Sequence, residues 1–149
     1  MESEPDFWEV SWRVEGDAFE GLLAKSTEQN YKPQQTVFEQ GEAADGMYLV
    51  IEGYALALTN DPKTGAERST TIIPTGQSFG ELGLLMGQPR SATVVAGTEL
   101  RVLKITLETV KALEEAEPHI AATLYKKLAR TLAEQLVAQT ALMRRGPSE

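Results

Sequence analysis

The chain has 149 residues, 42% of them hydrophobic and 24% charged, which suffices for one domain with a real core. It contains no cysteine, which excludes disulfides, thiolate nucleophiles and zinc–thiolate sites, and its single histidine, His119, leaves little for a transition metal. A formal net charge of −8 opposes nucleic acid and anionic membranes, so an anionic ligand has to be held by a local device against the background field.

The N-terminus, "MESEPD", is acidic where a signal peptide is basic, and Glu2 excludes the myristoylation pattern. From Glu2 to Glu20 seven acids face one base, Arg13. Trp8 and Trp12 stand at i and i+4, with Phe19, Leu22 and Leu23 beyond, a spacing that predicts helical turns laying an aromatic face on the domain. Gly16 interrupts any single long helix there.

Between Tyr31 and Ile105 short apolar runs alternate with turn residues. "TVFEQGE" reads as a short strand ending at Gly41, and "MYLVIEGYALAL" as two strands meeting at Gly53. "NDPKTGAE" joins "YALAL" to "STTII" as a hairpin, "PTGQ" is a turn, and "SATVVA" and "ELRVLKI" are β-branched runs separated by Gly97 and Thr98. Strands at this spacing predict an antiparallel barrel or sandwich. The longest uncharged run, Ser69 to Gly80, contains Pro74 and is too short to span a bilayer.

After Thr106 the pattern becomes helical. Thr106 is placed to N-cap one helix, with Thr109 three positions on, and Pro118 to open a second that runs to Arg145 before Gly146 and Pro147. Along the second helix Ala122, Tyr125, Ala129, Leu132, Leu136, Gln139 and Met143 keep a 3,4 spacing, a seam that predicts a parallel helix pair in a homodimer. Leu124 and Leu128 form a neighbouring stripe that would pack the helix on its own barrel.

"FGELGLLMGQPRSATV", Phe79 to Val94, sets one acid and one guanidinium at the edges of an uncharged, glycine-rich turn. Gly80 and Gly83 suit a tight turn into a short helix, whose first backbone N–H groups offer an anion site that glycine leaves open. Arg90 adds planar, permanently charged donation to phosphate or carboxylate oxygens. Glu81, when ionised, only accepts hydrogen bonds, so beside an anion it has to serve a donor on the same ligand. A sugar hydroxyl next to a phosphate is the simplest candidate. With no GxxxxGK[ST] run for a triphosphate, a lone arginine matches a single negative charge, as in a phosphodiester. The plain alternative is a surface ion pair between Glu81 and Arg90, worth ~0–1 kcal/mol, flanked by ordinary turns.

This stretch resembles the phosphate-binding cassette of cyclic nucleotide-binding domains, and "VFEQGEAADGMYLVIEGYALAL" resembles the same family's strand–glycine–strand signature, with Gly41, Asp45, Tyr48 and Gly53 in step. The agreement runs from about Thr36 to Leu142. The resemblance implies a mainly β fold: an eight-stranded antiparallel, jelly-roll-like β-roll with an N-terminal helical segment and two C-terminal helices. One domain, 1–149, then divides into a helical segment 1–28, a roll 30–105 with its cassette at 79–93, and helices 106–145. It further implies that Gly80, Leu82 and Gly83 contact phosphate and ribose through the main chain. Glu81 accepts from the ribose 2′-hydroxyl, Arg90 pairs with the cyclic phosphate, Ser91 donates to it and Ala92 lies close. Thr71 falls near the base. "GELGL" is similar to the bacterial catabolite-activator branch, whose long helix reaches the base of a nucleotide held by the other subunit; Gln135 falls at or near that position.

The implied ligand is cAMP or cGMP, with no metal, no cofactor and no catalytic residue. The resulting expectation is a stand-alone cytoplasmic cyclic-nucleotide receptor that moves its C-terminal helices to regulate an effector protein. It dimerises through residues 118–145 and engages neither nucleic acid nor membrane. The competing expectations are an interaction module of the same fold that has lost the nucleotide, a phosphodiesterase, and a DNA-binding regulator; the single histidine and the net charge speak against the last two.

Overall fold

The computed structural model describes residues 21–145 except 23 and 62, without the side chains at 67–69, 139 and 142–145. The expected aromatic face of Trp8 and Trp12 and the stop at Gly146 lie outside the described residues. In chain order come β1 (Thr27–Tyr31), β2 (Thr36–Phe38), β3 (Gly46–Glu52), β4 (Ala55–Asn60), β5 (Glu67–Ile73) and β6 (Ser78–Phe79). A short helix α1 (Glu81–Met86) precedes β7 (Thr93–Ala96) and β8 (Leu100–Thr106), and α2 (Leu107–Ala116) and α3 (Pro118–Arg145) close the order. The strands form two four-stranded sheets, β1-β8-β3-β6 and β2-β7-β4-β5, with antiparallel pairing throughout. This is the eight-stranded roll implied by the resemblance.

The run "MYLVI" in β3 lacks alternation because both of its faces are buried. Met47 and Leu49 point to one cluster with Leu103, Ile105, Val110, Leu113, Leu124 and Leu128, which seats α2 and α3 on the outside of the first sheet. Tyr48 and Val50 point the other way, into the space between the sheets, with Phe38, Phe79, Val94, Leu100 and Val102. A strand's period of two thus divides one apolar run between two cores.

Asp61 organises the β4–β5 hairpin: its carboxylate accepts from the N–H groups of Lys63 at 2.8 Å and Thr64 at 3.2 Å. Thr106 caps α2, its Oγ1 accepting from the N–H of Thr109 at 3.1 Å. Only Glu117 separates α2 from α3, and Pro118 starts α3 as its spacing predicts.

β1 is the element that the residue pattern does not announce. "TEQNY" shows no apolar alternation, yet it pairs with β8 over its whole length, from Thr27↔Lys104 to Tyr31↔Leu100. The sheet therefore begins at Thr27, inside the span read as N-terminal helical segment. As an edge strand β1 buries little and is held by its ladder. Arg101 adds an exposed tie, donating from Nη1 to Glu52 at 2.9 Å and from Nε to Glu28 at 2.8 Å.

Leu128 of α3 is wholly buried, whereas Leu136 two turns later is 63% exposed. Leu128→Ala should therefore cost about 2–5 kcal/mol of folding stability in a denaturant titration, and Leu136→Ala, at a concentration where the chain is monomeric, should stay within about 0.5 kcal/mol of the parent protein. Similar losses from both would mean that α3 is not seated through the Leu128 stripe.

Candidate functional site

Gly80 turns the chain out of β6 into α1 with φ 78, a left-handed conformation that glycine adopts without penalty. A Cβ on Gly80 would stand 2.7 Å from Arg90 Nη1, and one on Gly83 would collide with Ala44 Cβ and approach Arg90 Nη1 to 3.0 Å. The arginine thus leaves no room for a side chain at Gly80, and Ala44 leaves none at Gly83. Gly83 N–H donates to Gly80 O at 3.2 Å, closing the first turn of α1.

Arg90 is tied down at both backbone atoms. Its N–H donates to Glu42 O and its carbonyl accepts from Gly41 N–H, each at 2.8 Å, which fastens the end of the cassette to the loop before β3. The buried guanidinium donates from Nη1 to Gly46 O at 2.8 Å and to Gly80 O at 3.3 Å. Its Cζ lies 4.2 Å from the Phe38 ring centroid, and Asp45 Oδ1 stands 3.7 Å from Nη2. Phe38, Tyr48 and Phe79 brace one another beneath it, Tyr48 and Phe79 stacked at 5.0 Å. The cation is oriented before any ligand arrives.

Glu81 is the other buried charge among the described residues, 7% exposed. Ser78 Oγ donates to its Oε2 at 3.2 Å. Burial raises its carboxyl above the ordinary glutamate range, and hydrogen bonds from its own N–H and from Ser78 pull it only part of the way back. Glu81 and Arg90 form no ion pair with each other, and neither lies at the surface, so the plain surface-pair reading does not describe them.

Both line one cavity of about 210 Å³. Gly80, Leu82, Gly83, Ser91 and Ala92 complete the cassette wall, and Gln135 enters from α3, a helix distant in sequence. Thr71 is not in the wall; it is exposed on β5, opposite Ala57, which does line the cavity. The residue reading missed the apolar floor of Phe38, Ala57, Ile73 and Val94, and it missed Leu132. Leu132 stands in the 3,4 seam that predicts a partner helix, and it also lines the cavity. A larger cavity of about 530 Å³ lies on the far side of Arg90, between Gln29, Tyr31, Asp45, Tyr48 and Lys104, and holds neither Glu81 nor Gln135.

The smaller cavity thus presents a fixed cation, a buried acceptor, an apolar floor and an amide on the covering helix. That set suits a ligand with one negative charge, a nearby hydroxyl and a flat ring. Among the described residues no group of three or more His, Asp or Glu could hold a metal ion, and no helix is long and apolar enough to cross a membrane.

Residues 28–117 match the cyclic nucleotide-binding domain family. An uncharacterized NTE family protein of Mycobacterium tuberculosis is 33% identical over 120 residues, which is 80% of this chain and 20% of that protein. The cAMP-activated global transcriptional regulator CRP of Salmonella typhimurium is 34% identical over 103 residues, 68% of this chain and 49% of that protein. The solved structure of Thermus thermophilus catabolite activator protein is similar with a TM-score of 0.70 at 28% identity, covering 86% of this chain and 60% of that one. The alignments therefore span only a fifth to a half of these two curated relatives.

The Glu81 carboxyl titrates higher in the folded chain than in the unfolded one. Its contribution to stability is therefore complete below the unfolded value and is lost as pH rises through the folded value, which leaves the buried carboxylate a cost at neutral pH. Glu81→Gln should raise the melting temperature of the nucleotide-free protein at neutral pH and flatten its pH dependence above the ordinary glutamate range, as followed by thermal melts. Superimposable pH profiles would show that the carboxylate is solvated.

Proposed function

The chain belongs to the cyclic nucleotide-binding domain family, and from that premise we propose that it is a cytoplasmic receptor for cyclic AMP whose C-terminal helices report occupancy to an effector protein. The observation that carries the reading is the meeting of Arg90, Glu81 and Gln135 in one cavity, the first two buried and not paired with each other. Arg90 takes the cyclic phosphate, helped by Ser91 and the main chain at Gly80, Leu82 and Gly83, with Ala92 close by. Glu81 accepts from the ribose 2′-hydroxyl. The purine lies over the apolar floor beneath Leu132 and Gln135, with Thr71 on the neighbouring strand opposite Ala57.

The base favoured is adenine, because the CRP relative is named as cAMP-activated. Cyclic GMP is the competing ligand, since the Ser91 hydroxyl suits a guanine amino group and the Gln135 amide both donates and accepts. The function is binding and relay, with no catalytic residue assigned; His119 is exposed on the first turn of α3 and does not line the cavity.

Relay follows from the double attachment of α3. Leu124 and Leu128 seat it in the core, while Leu132 and Gln135 cover the ligand. Tyr125 Oη donates to Glu114 at 2.5 Å across the α2–α3 junction, and burial together with that carboxylate pushes the phenol up to about 12, so the bond keeps its proton throughout the physiological range. A ligand that prefers one seating of α3 shifts its population, with a coupling of ~1–3 kcal/mol typical of such devices. The face beyond the cavity, with Leu136 and Val137 63% and 69% exposed, is offered to a second copy of the chain.

Titration calorimetry with cyclic AMP, cyclic GMP and 2′-deoxy cyclic AMP tests the site. Arg90→Leu should weaken binding about tenfold or more, the loss of a charged hydrogen bond. Glu81→Gln should penalise cyclic AMP more than its 2′-deoxy analogue; equal penalties would remove Glu81 from the ribose, and absence of heat with every nucleotide would leave an interaction module. For the second copy, Leu136→Glu should shift sedimentation from dimer to monomer; a parent protein that sediments as a monomer at all concentrations contradicts the pairing.

A further inference from the structure

Strand alternation puts Lys104 of β8 on the same face as Leu100 and Val102, which line the core between the sheets. Lysine seldom occupies an inward position unless its ammonium finds a partner. Here it is directly across the ladder from Tyr48, with Nζ 5.7 Å from that ring's centroid and 3.1 Å from Asp45 Oδ2. The lysine side chain is 18% exposed and that of Asp45 68%. Asp45 therefore stands between two cations, hydrogen-bonded to Lys104 through Oδ2 and in a looser ion pair with Arg90 Nη2 through Oδ1 at 3.7 Å, longer than a hydrogen bond.

We propose that Lys104 is a positioning residue for nucleotide binding, acting through Asp45: it draws that carboxylate away from Arg90 and keeps the guanidinium available to an anion. The inference rests on the cyclic-nucleotide reading of the site. Arg90 does not need Asp45 for its orientation, because Nη1 is fixed by the carbonyls of Gly46 and Gly80 and the plane is packed on Phe38. What Asp45 contributes is negative charge. With Lys104 beside it, the pair is neutral. Without Lys104, the exposed carboxylate closes on Nη2, competes with the phosphate for the same cation and repels it. Both consequences weaken binding. Lys104 lines the larger cavity, with Arg90 and Phe38 as the shared wall, so it acts without touching the ligand.

The test is calorimetry with cyclic AMP on the full chain, comparing the parent protein with Lys104→Gln, Lys104→Arg, Asp45→Asn and the Lys104→Gln/Asp45→Asn pair. Lys104→Gln should weaken binding about fivefold at low ionic strength, less in high salt, and Lys104→Arg should restore it. In the Asp45→Asn background the same lysine substitution should change nothing, a coupling that a bare charge effect or loss of fold would not give. A loss that persists in that background, or unchanged affinity in Lys104→Gln, overturns the proposal while leaving the nucleotide reading intact. A parent protein that binds no cyclic nucleotide overturns both. Independently of ligand, the Arg90 guanidinium protons should exchange more slowly in nucleotide-free Lys104→Gln than in the parent protein; equal exchange rates contradict the closing of Asp45.

Discussion

A guanidinium cannot be buried without partners for its donors, and the arrangement around Arg90 is where the rest of the site begins. Two main-chain carbonyls, an aromatic face and one carboxylate at a distance meet that demand. Each partner imposes a condition on the sequence. The carbonyl of Gly80 is reachable only because a left-handed glycine leaves no Cβ in the way of Nη1. The Phe38 ring is held by Tyr48 and Phe79, which belong to the core between the sheets. The cassette is therefore an extension of the core, and the position of the cation is as firm as the packing beneath it.

Glu81 obeys the opposite logic. An acid buried without a contacting cation lowers the stability of the free protein, and a single serine hydroxyl with one backbone N–H offsets only part of that. The two charges lie in one cavity but are engaged by different groups, so neither neutralises the other. Such separation keeps both available to a ligand, at the expense of a fold that a glutamine at 81 would stabilise. Stability and binding pull this residue in different directions, a tension common where a buried polar group serves a ligand.

Helix α3 links the site to the surface of the domain. Its first turns are anchored by Ile120, Leu124 and Leu128, and its next turn covers the cavity through Leu132 and Gln135. With a one-residue joint to α2, the helix is set by core packing at one end and by whatever lies under it at the other. Two apolar stripes on one helix therefore serve three surfaces: the core, the cavity and the exposed face at Leu136 and Val137.

Local chemistry made much of this legible in one dimension. The short β-branched runs, the hydroxyl cap at Thr106, the proline that opens α3 and the pairing of glycines with Glu81 and Arg90 are all consequences of near-neighbour geometry, which the order of residues determines directly. What it could not convey was anything decided between distant segments. β1 is a strand because β8 lies beside it, not because "TEQNY" favours one. Leu132 lines the cavity because α3 is seated with Leu128 in the core, and a periodicity states the spacing of a stripe but not which neighbour it meets. The contact of Lys104 with Asp45 spans 59 positions of chain, and the apolar floor under the cavity is drawn from four strands. Those features exist only once the sheets have paired, because each depends on contacts whose partners are brought together by packing and not by proximity along the backbone.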